Sequence, residues 1–205
     1  MKKIAIINCG AGNTGSLVNA LKYLNYEPVL LDRPEKNYNF SHIILPGVGS
    51  FGRCGKNLQE FGFYEYLINN KEKGNFLLGI CVGMQLLFKD SEESKSISGL
   101  NFIDGNIELF SFEKIKKLPV PHVGFTSVDY NDSPIWTDIP NKPFFYFIHS
   151  YRAKKISEKI NFATSHYGEK FISFVEKENL FGCQFHPEKS HKNGLKFLNN
   201  FCNFE

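Results

Sequence analysis

Short apolar runs alternate with amphipathic stretches through the first half of the chain. The apolar runs have strand length and no polar–apolar alternation, which is typical of strands buried on both faces of a parallel sheet. They are Lys3–Asn8, Pro28–Leu31, His42–Leu45 and Phe76–Ile80. Apolar residues at helical spacing predict helices over Ser16–Asn25 and roughly over Lys56–Asn70. This alternation predicts an open, doubly wound α/β sheet.

The second half of the chain has a higher density of predicted strands. These are Phe102–Leu109, Val123–Tyr130, Phe144–His149, Asn161–Tyr167, Lys170–Lys177 and Leu180–Phe185. A helix over about Asn193–Asn203 follows, and the polar segments Asp90–Ser98 and Asn131–Lys142 are predicted to be surface loops. Because no repeat or linker divides it, the chain is expected to form one domain over residues 1–205.

Composition narrows the classes of function. Hydrophobic residues make up 42% of the chain and aromatic residues 15%, which is enough for a full core. The net charge of +3 at pH 7 is too small to predict a nucleic-acid or anionic-membrane partner. No apolar run approaches the ~20 residues that span a bilayer. The start, Met1–Cys9, is expected to be a first strand rather than a signal peptide.

The cysteine pattern bears on metal binding and on location. The five cysteines are widely scattered: Cys9, Cys54, Cys81, Cys183 and Cys202. An odd count without paired spacing argues against a disulfide framework and against a zinc site. We therefore expect no bound metal, and a cytoplasmic location in which a catalytic thiol stays reduced.

One cysteine has the sequence context of a nucleophile. The predicted strand Phe76–Ile80 leads directly into Cys81, and a helix-like stretch, Met84–Phe88, follows Gly83. This is the strand–turn–helix order in which the G-x-S-x-G motif exposes a serine. A cysteine at a helix N-terminus is stabilised as the thiolate by the helix dipole. Cys81 is therefore the predicted nucleophile, and the other four cysteines are expected to be structural.

A second block near the end of the chain supplies a general base and its partner. His186 can take the proton of Cys81, and Glu188 can hold the imidazole tautomer and stabilise the imidazolium. Pro187 between them fixes its own φ angle. The sequence thus predicts a Cys-His-Glu triad. The remaining histidines are expected to be structural: His42, His122, His149, His166 and His191. His149 lies within a motif, so its backbone and neighbours are also expected to line the site.

Six blocks in order along the chain resemble the class I (triad-type) glutamine amidotransferases, and among these the HisH-type glutaminase subunits of imidazole glycerol phosphate synthase. The blocks are Asn8–Asn13, Pro46–Gly52, Gly79–Leu87, Pro121–Gly124, Tyr146–Arg152 and Gly182–Ser190. The resemblance implies a flavodoxin-like, mainly parallel open sheet with helices on both faces. It also implies hydrolysis of L-glutamine to glutamate and ammonia, without a cofactor.

The partner follows from the same resemblance. Ammonia would pass to a HisF-type (β/α)8-barrel cyclase subunit in a heterodimer. There it would convert the phosphoribulosyl aminoimidazole-carboxamide intermediate (PRFAR) to imidazole glycerol phosphate and AICAR, a step of histidine biosynthesis. The residues implied at the face toward the cyclase are Asn13, Phe125, Tyr146 and Lys189.

Glutamine binding carries over by motif position to Gly49, Gln85, Ser150 and Tyr151. Glu93 is a candidate partner for the substrate ammonium group, and it is equally compatible with a solvated loop carboxylate, because Glu92 lies beside it.

The oxyanion hole requires two backbone N–H groups. The implied donors are the N–H of Val82 and the Gly47–Val48 segment of the Pro46–Gly49 loop. Related glutaminases often have Pro-Gly-Gly at this loop. The hypothesis is that Val48 keeps the peptide turned away until the partner and its ligand favour a flip, since valine tolerates the unusual orientation less well than glycine.

Three alternatives remain open on the sequence. Two positions depart from the HisH pattern: Gly124-Phe125-Thr126 stands where Gly-Trp-Asn is usual, and Gly15-Ser16 lacks the Arg that commonly precedes this Ser. Both departures fit a HisH-like paralogue that supplies ammonia for amidation of a surface-polysaccharide sugar. Gly10-x-Gly12-x-x-Gly15, with Asp32 after the next strand, fits a dinucleotide-binding protein but leaves the cysteine and His-Pro-Glu blocks unexplained. A catalytically silent binding module would leave the triad without a role.

Overall fold

The computed structural model describes residues 1–10, 14–35, 37–115 and 118–205. Asn13, expected at the partner face, and Gly12 of the glycine-rich segment therefore lie outside the described residues.

Within the described residues, ten strands form one mixed sheet. Their bounds are β1 Lys3–Ile7, β2 Glu27–Leu31, β3 His42–Gly47, β4 Phe76–Cys81, β5 Phe88–Ser91, β6 Ile103–Leu109, β9 Tyr151–Ile156, β10 Asn161–Tyr167, β11 Glu169–Lys177 and β12 Leu180–Cys183. The order across the sheet is β2-β1-β3-β4-β12-β11-β9-β6-β5, and β10 pairs with β11 outside this path.

The first five strands of this order are all parallel. Their carboxyl ends therefore meet at one edge, which is where open α/β sheets bind ligands. The apolar runs of β1, β3 and β4 are almost entirely buried, as expected for strands covered on both faces. Beyond β12 the pairings of β11 with β9 and of β9 with β6 are antiparallel. The predicted α/β class with a mainly parallel sheet is confirmed.

Helices cover both faces of the sheet. They are α1 Thr14–Tyr23, α2 Phe51–Glu60, α3 Phe63–Glu72, α4 Val82–Gln85, α5 Phe112–Ile115 and α6 His191–Cys202, with short 3-10 turns at Pro134–Trp136 and Pro187–Lys189. Helix α1 connects β1 to β2 toward one end of the sheet, whereas α2 and α3 connect β3 to β4 toward the other end. Because such crossovers are right-handed, α1 lies on the opposite face of the sheet from α2 and α3. No helix in the described ranges is long and apolar enough to cross a membrane.

Several predicted elements were wrong in extent. The single helix predicted over Lys56–Asn70 is two helices, because Gly62 has φ +79°, a left-handed conformation that breaks the helical run. The helix-like stretch Met84–Phe88 is helical only at Met84 and Gln85, because α4 ends at Gln85 and Phe88 opens strand β5.

The two predicted polar loops contain structure as well. The first, Asp90–Ser98, begins inside β5, and the second, Asn131–Lys142, contains the 3-10 turn Pro134–Trp136. The side chains of Ile135 and Trp136 in this turn are buried, so this segment packs against the core and is not only a surface loop.

Two further strands form a separate antiparallel ribbon, β7 His122–Ser127 and β8 Phe144–His149. Its inner side chains, among them His122 and Phe147, are buried. Its outward-facing side chains are apolar and aligned across the two strands. We call this set the outer face of the ribbon: Val123 with Ile148, Phe125 with Tyr146, and Phe144 opposite Ser127.

Candidate active site

Cys81 lies on a strained turn between β4 and α4. Its φ and ψ are +55° and −111°, a conformation that a residue with a side chain rarely adopts. Glycines on either side make the turn possible by removing steric clashes. A Cβ atom on Gly79 would lie 2.5 Å from the Gly83 carbonyl oxygen, and one on Gly83 would overlap the Leu45 carbonyl oxygen. The local sequence thus forces the thiol to the carboxyl edge of the sheet.

His186 follows β12, the strand next to β4, and lies beside the cysteine. Its Nδ1 donates to Glu188 Oε1 at 2.8 Å, and both side chains are more than nine-tenths buried. Its Nε2 is buried and makes no hydrogen bond within the described residues. Because Glu188 can only accept as a carboxylate, Nδ1 keeps its proton, and Nε2 is the nitrogen left to take one.

The electrostatics of His186 are dominated by its two partners. Burial alone lowers the pKa of His186, but its interactions with Cys81 and with the Glu188 carboxylate outweigh it and raise that pKa to about 10. The protonated imidazole is therefore the favoured form of His186. The structure thus supports His186 as the proton carrier beside Cys81, with Glu188 holding the ring.

A cavity of about 250 Å³ opens in front of Cys81. It is lined by Val48, Gly49, Cys81, Val82, Gln85, Glu93, Pro121, Ile148, His149, Ser150, Tyr151 and His186. Its volume is below the usual range of ~300–1,000 Å³ for drug-sized ligands, so it suits an amino acid better than a dinucleotide. All five residues that the sequence predicted for glutamine binding therefore lie at one cavity.

Two predicted site residues lie just outside the cavity lining. Gly47 ends β3 and pairs with Cys81, so it positions the following loop. A Cβ atom on Gly47 would lie 2.6 Å from the Gly83 nitrogen, which shows how closely the loop approaches the first turn of α4. Glu188 lies behind His186 rather than facing the cavity.

The two neighbouring carboxylates of the β5–β6 connection have different positions. Glu93 is half-buried, lines the cavity, and accepts from the Phe51 N–H at 2.7 Å with Oε2. Glu92 is exposed and accepts from the Leu109 N–H at 2.8 Å. Glu93 is thus fixed at the start of α2 rather than free in solvent, with Oε1 left for a ligand. Its role toward the substrate ammonium group stays a prediction.

Three of the four residues predicted for the partner face cluster at the outer face of the ribbon. The rings of Phe125 and Tyr146 lie 5.6 Å apart, and Lys189 Nζ lies 5.8 Å from the centre of the Tyr146 ring. Phe125 and Lys189 are exposed and Tyr146 is half-buried. The cluster is continuous with the cavity through Ile148, which belongs to both.

His149 lines the cavity, close to where the sequence placed it, and His122, which was expected to be structural, packs behind it. His149 Nδ1 donates to the Tyr151 carbonyl at 2.8 Å, and its Nε2 lies 3.2 Å from His122 Nδ1. Burial lowers the pKa of His149 to about 3 and that of His122 to about 4, so both rings are neutral. His122 Nε2 then accepts from the Thr126 hydroxyl at 2.8 Å.

Gln184 is a residue of the site without a role predicted from the sequence. Its side chain is fully buried, and Nε2 donates to Cys81 Sγ at 3.7 Å. The thiol itself donates to the Ile148 carbonyl at 3.8 Å. The available signal was its position two residues before His186.

Other parts of the described chain offer less chemistry. A larger cavity, about 770 Å³, lies between α3 and the β2–β3 connection, and the described residues of its lining include neither cysteine nor histidine. At the glycine-rich segment, Asp32 accepts from Asn8 Nδ2 at 2.7 Å. In the described residues no three His, Cys, Asp or Glu side chains are grouped to hold a metal ion.

The sequence of this chain matches a known protein family. The class-I glutamine amidotransferase family matches residues 5–203. The chain therefore belongs to this family. Among similar relatives, the imidazole glycerol phosphate synthase subunit HisH of Geobacter metallireducens is 40% identical, with 98% of each chain covered. The HisH subunit of Chlorobaculum tepidum is 38% identical over 98% of this chain and 100% of its own length.

Solved structures show the same fold. PurLQS from Thermotoga maritima matches with a TM-score of 0.78 and 22% identity over 99% of each chain. The crystal structure of another glutamine amidotransferase matches with a TM-score of 0.75 and 18% identity over 97% of this chain and 98% of that one. The full-length match to HisH subunits does not favour the dinucleotide-binding or sugar-amidation alternatives.

Proposed function

We propose that this chain is the glutaminase subunit of an imidazole glycerol phosphate synthase, with residues 1–205 as one glutaminase domain. The observation that carries the proposal is the Cys81–His186–Glu188 arrangement at an amino-acid-sized cavity. Full-length similarity to HisH subunits supports the reaction. Gly49, Gln85, Glu93, Ser150 and Tyr151 would hold L-glutamine in that cavity.

Each step of the reaction has a residue suited to it. The Cys81 thiolate attacks the side-chain amide carbon of glutamine, and the developing oxyanion is stabilised by the Val82 N–H and a peptide of the Gly47–Val48 segment. The imidazolium of His186 protonates the departing nitrogen, which leaves as ammonia, and a γ-glutamyl thioester remains. His186 then takes a proton from water, which attacks the thioester, releases glutamate and regenerates the thiolate.

The partner of this reaction is a HisF-type (β/α)8-barrel cyclase that receives the ammonia and acts on PRFAR. The exposed apolar outer face of the ribbon, continuous with the cavity, supports a docking surface at this place. Phe125 and Tyr146 belong to it and Lys189 lies beside it, with Asn13 as a further predicted contact. The complex would be a heterodimer in the cytoplasm, a setting that suits a chain with five scattered thiols.

The loop after β3 is the proposed gate for activity. Val48 is exposed and Gly49 has φ +119°, a backbone conformation that glycine adopts readily. Reorientation of the adjacent peptide would add the second oxyanion donor when the cyclase and its ligand are bound. Both sites would then bias one two-state element, which is the requirement for allosteric coupling.

The proposal is tested with Cys81→Ala and His186→Ala in the complex with the cyclase. Both variants should lose glutamine-dependent turnover of PRFAR and retain turnover with ammonium salts, because only ammonia production is lost. Cys202→Ala, which removes another buried thiol far along the chain, serves as the matched control and should retain both activities. Glutamine-dependent turnover in the Cys81→Ala complex would contradict the assignment of the nucleophile.

A further inference from the structure

We propose that Gln184 is a positioning residue whose side-chain amide donates a hydrogen bond to the Cys81 sulfur and stabilises the thiolate. The inference rests on the proposed function, because it gives Gln184 a task only if Cys81 is the nucleophile. Gln184 Nε2 lies 3.7 Å from Cys81 Sγ, and the two residues are 0% and 4% exposed.

The orientation of the Gln184 amide follows from its neighbours. A carbonyl oxygen can only accept, so the atom of Gln85 that lies 3.0 Å from the Tyr151 oxygen must be Nε2. The same Nε2 lies 3.1 Å from the Gln184 side chain, which must therefore present Oε1 to it. Only Nε2 of Gln184 is left to face the sulfur. Turning the Gln184 amide over would place two donors against each other at Gln85.

The far end of this chain of hydrogen bonds is also fixed. The Tyr151 carbonyl accepts a second hydrogen bond from His149 Nδ1 at 2.8 Å, so both of its lone pairs are used. Gln184 is fully buried and Gln85 is 2% exposed. Buried amides that are satisfied in this way have one low-energy arrangement, since any other leaves a polar group unpaired.

Charge makes the bond to sulfur stronger during the reaction. A hydrogen bond to an anionic acceptor is roughly twice as strong as one between neutral groups, and low dielectric increases the effect. The thiolate is therefore stabilised relative to the thiol, and the sulfur is held while His186 carries the proton. Once the thioester forms, the sulfur is neutral and the bond weakens. Gln184 thus acts on the nucleophile and His186 on the proton.

The same amide connects the nucleophile to the proposed substrate site. Both N–H groups of Gln85 are used, one toward Tyr151 and one toward Gln184, so its oxygen is the atom left to accept from a ligand. Gln85 lines the cavity, whereas Gln184 does not. Gln184 therefore fixes which end of the Gln85 amide a substrate meets.

The pH dependence of Cys81 reactivity measures this effect directly. The titratable groups near the sulfur come from several elements: His186 and Glu188 after β12, Cys183 in β12, His149 in β8, Glu93 beside the β3 loop and Cys54 in α2. All of them are kept in the variants below. A shift of the reactivity profile therefore reports on Gln184 alone.

The experiment uses the whole chain and iodoacetamide, with alkylation of the Cys81 peptide followed by mass spectrometry across pH. Gln184→Met keeps the length but removes the donor, and it should move the midpoint of the profile up by about one pH unit. Gln184→Glu keeps the shape and, as the carboxylate, replaces the donor with acceptor oxygens and a negative charge, so it should move the midpoint further in the same direction.

Ser173→Ala is the matched control. Ser173 is fully buried beside Gln184, its carbonyl accepts the Gln184 backbone N–H at 2.9 Å, and its own hydroxyl has no partner among the described residues. This variant should leave the midpoint unchanged. An unchanged midpoint in either Gln184 variant, with cooperative thermal unfolding retained, would overturn the inference. Because alkylation is read without turnover, a failure of the proposed function shows separately as glutamine use by the Cys81→Ala complex.

Discussion

The backbone N–H of His186 donates to the carbonyl of Tyr146 at 2.8 Å. The proposed catalytic base is thereby attached to β8, the strand whose exposed side chains form much of the outer face of the ribbon. The Ile148 carbonyl on the same strand accepts from the Cys81 thiol at 3.8 Å. A partner that docks on the outer face therefore contacts a strand that touches both the base and the nucleophile.

The first prediction concerns this docking surface. Phe125→Glu places a charge among apolar side chains that the cyclase would bury, and it should weaken the complex by at least tenfold, corresponding to ~1.4 kcal/mol or more. The dissociation constant can be measured by titration calorimetry with the cyclase subunit.

A matched surface variant provides the control for Phe125→Glu. Phe162 on β10 is exposed to a similar degree, 40% against 46%, and does not belong to the outer face. Phe162→Glu should leave the affinity unchanged. Equal effects of the two variants would show that the outer face is not the docking surface.

The second prediction concerns the carboxylate behind the base. Glu188→Gln removes the charge that stabilises the His186 imidazolium and offers an N–H where a lone pair is needed. We expect kcat for glutamine hydrolysis in the complex to fall by ~10²–10⁴-fold with little change in KM. Steady-state glutamate release measures this, and ammonium-dependent turnover should be retained. A variant with wild-type kcat would remove Glu188 from the triad.

The third prediction concerns the Val48 gate. Val48→Gly makes the alternative peptide orientation accessible, and partner-free glutaminase activity should rise by about tenfold, the scale of the strain removed. Val48→Ala removes the exposed side chain but keeps the Cβ atom and its backbone preference, so its activity should stay near that of the wild type. No rise in glutamate release by the Val48→Gly chain without a cyclase would count against the gating hypothesis.

The fourth prediction concerns stability and pH. Burial lowers the folded-state pKa values of His122 and His149 to about 4 and about 3, whereas in the unfolded chain they return to ~6.5. Between ~6.5 and these folded values the unfolded state binds more protons, so the free energy of unfolding falls as the pH falls. Urea unfolding at a series of pH values measures the slope.

A variant of the His122–His149 pair measures how much of the pH dependence of the free energy of unfolding comes from this pair. His122→Phe keeps the ring stacking with Tyr167 but removes one titrating group, so the loss of stability between ~6.5 and ~4 should shrink by up to about 3 kcal/mol. His166→Phe replaces an exposed histidine on β10 and should keep the wild-type slope. An unchanged slope in His122→Phe would contradict the neutral buried pair.

The parallel strands were predictable because their apolar runs are local signals of burial on both faces. Strand β9 was not, since its sequence includes charged residues. Its Arg152 is fully buried only because Glu169, 2.7 Å away, and Glu108, 3.3 Å away, pair with it from strands distant in the sequence. Such long-range compensation has no signature in a short window.

The residues of the site also differ in how far the sequence alone can predict them. Cys81, His186 and Glu188 belong to two compact blocks whose residue order reflects their local geometry, so a short window of sequence is enough to propose them. The bond from Gln184 to the sulfur depends on pairing between β4 and β12, and its orientation depends on Tyr151 in β9. These contacts exist only after the sheet has formed, and no spacing along the chain records them.

The most direct test of the account is glutamate release from glutamine by this chain mixed with a histidine-pathway cyclase subunit, measured with and without PRFAR. We predict a large PRFAR-dependent rise, because in our proposal the cyclase and its ligand would complete the oxyanion hole in front of Cys81. A flat response, from a chain whose Cys81 still reacts with a glutamine-analogue electrophile, would contradict the assignment to histidine biosynthesis. That result would leave a glutaminase whose ammonia serves another acceptor, such as a surface-polysaccharide sugar.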